Sequence, residues 1–443
     1  MFKFLRPSPA IDRLPEEKIS STYKRSRMQV FIAIYLGYMI YYFVRMNFIF
    51  ARPLLTENFG FSKTQVGLIG AALGPAYGIS KLVMGIASDK SNPRYFLALG
   101  LILSGFCNLI FPSFANVMFM CVVWFLNGWF QGMGWGPCAK ILTHWFSDSE
   151  RGRKMSKWNT SHNIGSALAA FIALWGVNIF SDYKGAFYFP GILAIIGGIV
   201  YIILAKDTPQ SIGLPPIEEY KNDYPETFGD TDNSEAILSV KEIFKKYILK
   251  NKLLWMIAIA NIFVYIIRYG LENWVPFFLK EERGFTFENA KLAFSLFECA
   301  AIPGSIIIGW ASDKIFHGRR APVGIICLIC TTILTFVYWQ STNIYLTYVV
   351  IALIGAMVYG PVMLIGISAV DSVPKNAAGT ASGVTGLFGY LGGQVISEFG
   401  MGAIVDKWGW NGGFMLIIIS CLLSIFFLSF TWNAHNLKEK TQA

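Results

Sequence analysis

Two arginines interrupt long apolar stretches, and each ends the same phrase. The first is Tyr42-Phe43-Val44-Arg45 and the second, 223 residues later, is Tyr265-Ile266-Ile267-Arg268. A guanidinium inside a membrane-crossing helix is costly and marks a functional site by default. Other polar residues recur on single helix faces. Tyr38, Tyr42 and Arg45 share a stripe, as do Tyr77 and Lys81, Asn159 and His162, and Tyr265, Arg268 and Glu272. Glu298 stands alone in an apolar stretch, and Tyr359 and Tyr390 lie in two more. A set rich in Arg, Lys, His and Tyr suits an anion: the guanidinium grips a phosphate with two parallel bonds, and Lys and Tyr add donors. A small phosphate-bearing anion is the expected ligand, with a carboxylate as second choice. Each residue also has a plainer reading. Arg45 stands shortly before Arg52 and Pro53 and would then snorkel from a helix end; Lys81 would do the same; His162 and the tyrosines would be structural. The matched Arg268, and the neighbours Asn159 and Asn163 of His162, favour the ligand role.

The elements that must hold these groups are membrane helices. The chain is 54% hydrophobic and 14% charged, against about 25% charged in soluble domains. Apolar runs of spanning length occur at 28–50, 65–88, 95–114, 117–143, 155–181, 186–205, 252–279, 290–311, 321–340, 344–370, 378–404 and 412–432. The expected fold class is an all-α polytopic membrane protein with twelve transmembrane helices in two pseudo-symmetric six-helix halves. The expected division is an N-terminal segment 1–27, a first half 28–205, a linker 206–251, a second half 252–432 and a tail 433–443.

The net charge of +10 does not read as nucleic-acid binding, because the bases are spread over separate loops. Seven Lys/Arg fall within residues 1–27, and others collect at Lys90 and Arg94, at Arg151, Arg153, Lys154 and Lys157, and at Lys314, Arg319 and Arg320. The intervening loops near 114–117 and 340–344 carry no charge. This alternation places both termini in the cytoplasm by the positive-inside rule. The first apolar run starts too late and is too long for a cleavable signal. Cys327 and Cys330 read as small buried thiols, and the sequon Asn159-Thr160-Ser161 falls in a predicted span. No P-loop, zinc motif or nucleophile elbow occurs, so neither an enzyme nor a cofactor is expected.

The halves repeat. Gly85-Ile86-Ala87-Ser88-Asp89-Lys90 returns as Gly309-Trp310-Ala311-Ser312-Asp313-Lys314, and Gly136-Pro137 as Gly360-Pro361, both offset by 224 residues. Parallel repeats with a site between them near mid-membrane describe a transporter architecture. Within the linker, 239–250 reads as a surface helix capped by Ser239 and Glu242. Gly383, Gly386, Gly389 and Gly392 predict a ridge of close helix approach.

The Gly-x-x-x-Asp-Lys loops resemble those of the major facilitator superfamily. The stretches 128–135, 158–165, 208–225 and 386–393 resemble more narrowly its organophosphate:phosphate antiporters, and the linker phrase points to the glycerol-3-phosphate branch rather than the hexose-phosphate one. The resemblance implies exchange of external glycerol-3-phosphate for internal inorganic phosphate across a bacterial inner membrane, by a monomer that alternates access. It implies that Arg45 and Arg268 clamp the phosphate. Lys81, His162, Tyr38, Tyr42, Tyr77, Tyr265, Tyr359, Tyr390 and Asn159 would line the site, Glu298 would join a charge network, and Asp89 and Asp313 would help gate the cytoplasmic side. Two departures stand out: Met46 follows Arg45 where the family has Lys, and Asn273 precedes Trp274 where the family has an acid. Both members of an ion pair are thus missing, while Glu272 lies one helical turn from Arg268 and in reach of it. A hexose-phosphate antiporter, a sugar-phosphate sensor built like a transporter, and a proton-driven drug exporter are the alternatives.

Overall fold

A computed structural model describes residues 3–223, 247–373 and 377–432. These residues form helices α1 (Glu16–Phe59), α2 (Lys63–Asp89), α3 (Pro93–Ile110), α4 (Val117–Gln131), α5 (Trp135–Trp145), α6 (Asp148–Phe180), α7 (Gly185–Leu204), a short α8 (Ile217–Lys221), α9 (Lys252–Glu281), α10 (Phe287–Lys314), α11 (Arg320–Gln340), α12 (Ile344–Asp371), α13 (Ala378–Phe388) and α14 (Met401–Ser429). Between α13 and α14 the chain winds as π-helix, over Gly389–Gln394 and Ile396–Gly400. Among the described residues, eleven helical segments are long and apolar enough to cross a membrane; α4 and α5 together make one. The last, Thr380–Ser429, carries both the eleventh and twelfth predicted runs. It turns at Gly409, whose φ of 67° only glycine adopts freely. The expected twelve-helix, all-α membrane fold is the observed one. The linker segment 224–246 and the tail 433–443 lie outside the described residues, and so does most of the expected surface helix at 239–250.

Residues Met1–Phe48 with Ile79–Ser234 form one compact unit, and Ile49–Gly78 with Glu235–Ala443 form another. In the second, α2 carries its glycines on one face. A Cβ on Gly67 would lie 2.3 Å from the Glu398 carbonyl oxygen, one on Gly74 2.9 Å from the Gln394 side chain, and one on Gly78 3.2 Å from Tyr390. Gly402 answers from the other side, its position 2.3 Å from the Lys63 carbonyl oxygen. Without a hydrophobic drive between helices in lipid, such close backbone approach is what holds them. Asp406 fastens the start of α2 by accepting from the Lys63 amide at 3.1 Å and the Thr64 amide at 2.7 Å, an anion placed on a helix N-terminus.

The repeat reappears as packing. In the first unit a Cβ on Gly132 would lie 2.3 Å from Ser80 Oγ; in the second one on Gly304 would lie 2.4 Å from the Ala356 carbonyl. Positions 80 and 304, and 132 and 356, keep the sequence offset of 224. The expected glycine ridge holds at Gly389 and Gly392, which face Tyr265 and Ile262, and extends to Gly393; Gly386 faces open space. The π-helical winding after Phe388 shifts the face that glycines present, so a reading at ordinary helical spacing misses the change.

The N-terminal segment is strapped to the phrase 208–223 within the first unit. The Ile11 and Leu14 amides donate to the Gln210 and Gly213 carbonyls at 3.1 and 2.8 Å, and the Ser8 amide donates to Asp207 at 2.7 Å. Arg13 grips Glu219 with two bonds of 2.7 and 2.6 Å, and Tyr23 stacks on Tyr220 at 4.0 Å.

Two tests follow from this packing. Gly67→Ala forces the two backbones apart and is expected to cost about 1–3 kcal/mol, read as a lower melting temperature in detergent; an unchanged value would contradict the close approach. The hydrogen bond from Arg13 holds the Glu219 carboxyl below its ordinary range. A carboxylate with a lowered native value stabilises above its unfolded value, and that contribution is lost as pH falls through the native one. Amide protection at Ile11 and Leu14 should therefore be present at neutral pH and fall below about pH 4; Arg13→Ala should lose it already at neutral pH.

Candidate anion-binding site

In the first unit, α1 presents Tyr38, Tyr42 and Arg45 on one stripe. All three are buried, Arg45 to 7% exposure. Tyr38 packs on Tyr42 at 5.7 Å and on Trp158 at 4.7 Å, and the Arg45 guanidinium lies 5.6 Å from the Tyr42 ring centre. Helix α6 reaches this stripe because Gly165 has no side chain: a Cβ there would lie 2.5 Å from the Met39 carbonyl oxygen and 3.0 Å from Tyr42. His162, one turn earlier, thus comes within 5.6 Å of Tyr42. Its Nδ1–H donates to the Asn159 carbonyl. Asn159 contributes that carbonyl, while its residue is exposed. Lys81 is exposed too, its ammonium 5.3 Å from the Trp135 ring centre.

Behind Arg45, asparagines tie α1 to its neighbours. Asn127 and Asn108 donate to the Val44 carbonyl at 2.8 and 3.1 Å, and Asn47 donates to Asn108 at 2.8 Å. Helix α1 does not stop at Pro53 but runs to Phe59. Arg45 thus lies fourteen residues before the end of α1 and is buried among its neighbours. Proline is tolerated here because neighbours in a membrane bundle satisfy the freed backbone groups.

In the second unit, Arg268 is 9% exposed and held from two directions. Its Nε donates to Glu272 Oε2 at 3.1 Å, and its Nη2 donates to the Tyr359 hydroxyl at 3.1 Å. That hydroxyl donates to the Glu298 carboxylate, 3.1 and 3.2 Å from its two oxygens. Helices α10 and α12 can share this network because Gly355 meets the Phe297 carbonyl: a Cβ on it would lie 2.1 Å away. The guanidinium also lies 4.5 Å from the Tyr359 ring centre and 5.0 Å from that of Tyr269. Tyr265, Tyr390 and Tyr77 continue as an edge-to-face chain, with centroids 5.3 and 5.1 Å apart. Of the residues read from sequence, the structure thus joins Tyr77, Tyr265, Arg268, Glu272, Glu298, Tyr359 and Tyr390 in this unit. It joins Tyr38, Tyr42, Arg45, Asn159 and His162 in the other.

The repeated loops are fastened differently. Lys140 donates to the Ser91 and Asp89 carbonyls at 2.7 and 3.1 Å, and among the described residues the Asp89 carboxylate forms no ion pair. Asp313 instead pairs directly with Arg320, which also donates to Ser312 at 3.0 Å.

The sequence reading missed a second buried ion pair. Arg52 on α1 meets Glu398 at 2.5 Å, with side-chain exposures of 1 and 3%. Asn273, the departure from the family pattern, donates to the same carboxylate. Its two ends lie 346 residues apart; the only local hint was a charged residue beside a proline within an apolar run.

The fold is that of a membrane transporter, and the chain belongs to the Major Facilitator Superfamily, whose family model matches residues 34–397. Within that superfamily it falls in the organophosphate:phosphate antiporter family. It is 49% identical over 98% of both chains to the glycerol-3-phosphate transporter of Bacillus subtilis (strain 168). It is 46% identical to the glycerol-3-phosphate transporter of Haemophilus influenzae, covering 96% of this chain and 95% of that one. Among solved structures, a bacterial homologue of the human lysosomal transporter Spinster superposes with a TM-score of 0.72 at 16% identity, over 94% of this chain and 97% of the other. That likeness speaks for the fold alone.

Removing one partner of a buried pair costs about 3–5 kcal/mol, because the other charge is left uncompensated. Arg52→Met and Glu398→Gln should each lower thermal stability in detergent strongly. The double variant should recover much of the loss. Additive losses would mean that the two side chains act independently.

Proposed function

We propose that this protein exchanges external glycerol-3-phosphate for internal inorganic phosphate by alternating access, in a bacterial inner membrane with both termini cytoplasmic. The observation that carries the reading is the pair of repeat-equivalent buried arginines, Arg45 and Arg268, each held among tyrosines in its own unit. Each contributes a guanidinium to the phosphate, which suits its planar, two-pronged geometry. The substrate is assigned from the two relatives above, both named glycerol-3-phosphate transporters, and the phosphate gradient supplies the drive, since the chain has no ATP-binding motif. Binding must favour the closed carrier over the open one to drive the transition. A dianion does so by neutralising charge that an empty carrier would have to enclose. Asp89 and Asp313, at the two repeated loops, act in closing the cytoplasmic side.

The reading is tested with purified protein in liposomes preloaded with radiolabelled phosphate. Efflux should be driven by external glycerol-3-phosphate and by external phosphate. Arg45→Lys and Arg268→Lys should each reduce it at least about 100-fold, since an ammonium cannot form the two parallel bonds, while both variants still insert and purify. Wild-type exchange in either variant would remove the arginine clamp. A preference for glucose-6-phosphate would reassign the substrate, and binding without exchange would indicate a sensor.

A further inference from the structure

Arg268 already has an anion. The edge of a guanidinium that grips phosphate side-on is formed by Nε and Nη2. In this protein Nε is bonded to Glu272 at 3.1 Å and Nη2 to Tyr359 at 3.1 Å. Glu272 is 1% exposed, so its carboxylate has no solvent to retreat into. Its second oxygen, Oε1, has no hydrogen-bond partner among the described residues. The charges around it do not favour a further anion. Glu298 on α10 shares Tyr359 with Arg268. Glu398, in the π-helical stretch, is bonded by Asn273, the residue after Glu272, and is itself paired with Arg52.

We propose that Glu272 is an internal competitor for substrate, and that it takes up a proton when phosphate binds at Arg268. This deepens the exchange reading above and rests on it. When the dianion takes the Nε donor, Glu272 loses its counter-charge inside a low-dielectric site that also holds two other carboxylates. A buried unpaired carboxylate neutralises rather than stays charged. The proton comes from solvent and adds to a carboxylate oxygen of Glu272. No other bond forms or breaks apart from the exchange of hydrogen-bond partners at Nε. Each bound phosphate then carries one protein-borne proton, and affinity falls as pH rises.

The test is titration calorimetry of the full-length protein in detergent at pH 8.5 with inorganic phosphate, which is then almost wholly dianionic. Repeating it in two buffers of different ionisation enthalpy gives the protons taken up. The expected result is about one proton per phosphate in the wild type and close to none in Glu272→Gln. The variant should bind about tenfold or more tighter at this pH and lose the tenfold-per-pH-unit slope expected of a single linked proton. Binding without proton uptake in the wild type, or unchanged uptake in Glu272→Gln, overturns the competitor and leaves the exchange reading standing. Failure of the wild type to bind either phosphate or glycerol-3-phosphate overturns both. If Glu272→Gln does not fold, His162→Asn decides. Uptake that survives in it supports Glu272, and uptake abolished in it assigns the proton to the histidine.

Discussion

A fixed positive charge within the hydrocarbon layer has to be compensated, and the second unit is organised around that requirement. It holds two deeply buried guanidinia and meets the demand of each differently. Arg52 is closed off: its partner Glu398 is also bonded by Asn273, and a Cβ on Gly70 would lie within 3 Å of both members. Arg268 has carboxylates near it as well, but one is reached only through a tyrosine hydroxyl and the other offers a single oxygen. The first arrangement fixes helices to one another. The second ties Arg268 to one carboxylate directly and to another through Tyr359.

The duplicated halves share packing more faithfully than polar chemistry. The contacts of Ser80 with Gly132 and of Gly304 with Ala356 recur at one offset because interhelical distance tolerates no added atom. The loop fastenings have diverged, with a lysine on backbone carbonyls in one half and an arginine on a carboxylate in the other. Solvent-facing polar ties can be exchanged at small cost, since exposed pairs contribute little. Steric approach between backbones cannot.

What the sequence disclosed followed the same division. Twelve spans were legible because every membrane crossing must be apolar over its length. The last two, at 378–404 and 412–432, part in the structure at the turn of Gly409, within the break read between them. The bond between Arg268 and Glu272 was legible because one helical turn separates them. Tyr359 with Glu298, and Arg52 with Glu398, were not, since their neighbourhood is set by which helices pack together. The first apolar run was read to residue 50, but the helix runs through Pro53 to Phe59. The loss of Lys after Arg45 and of the acid before Trp274 was visible, yet the charge pair beside Asn273, Arg52 with Glu398, was not.

The glycine face of α2 has a further consequence, for the order in which the chain is built. Its partner around Glu398 is about 330 residues downstream. At a synthesis rate of about 5–20 residues per second, α2 waits roughly 16–65 seconds in the bilayer before that partner leaves the ribosome. During this interval its narrow, side-chain-free strip faces lipid or other helices. The nascent first half is thus left with an unfilled helix-binding face until translation is nearly complete, and a chain truncated before residue 398 would never fill it.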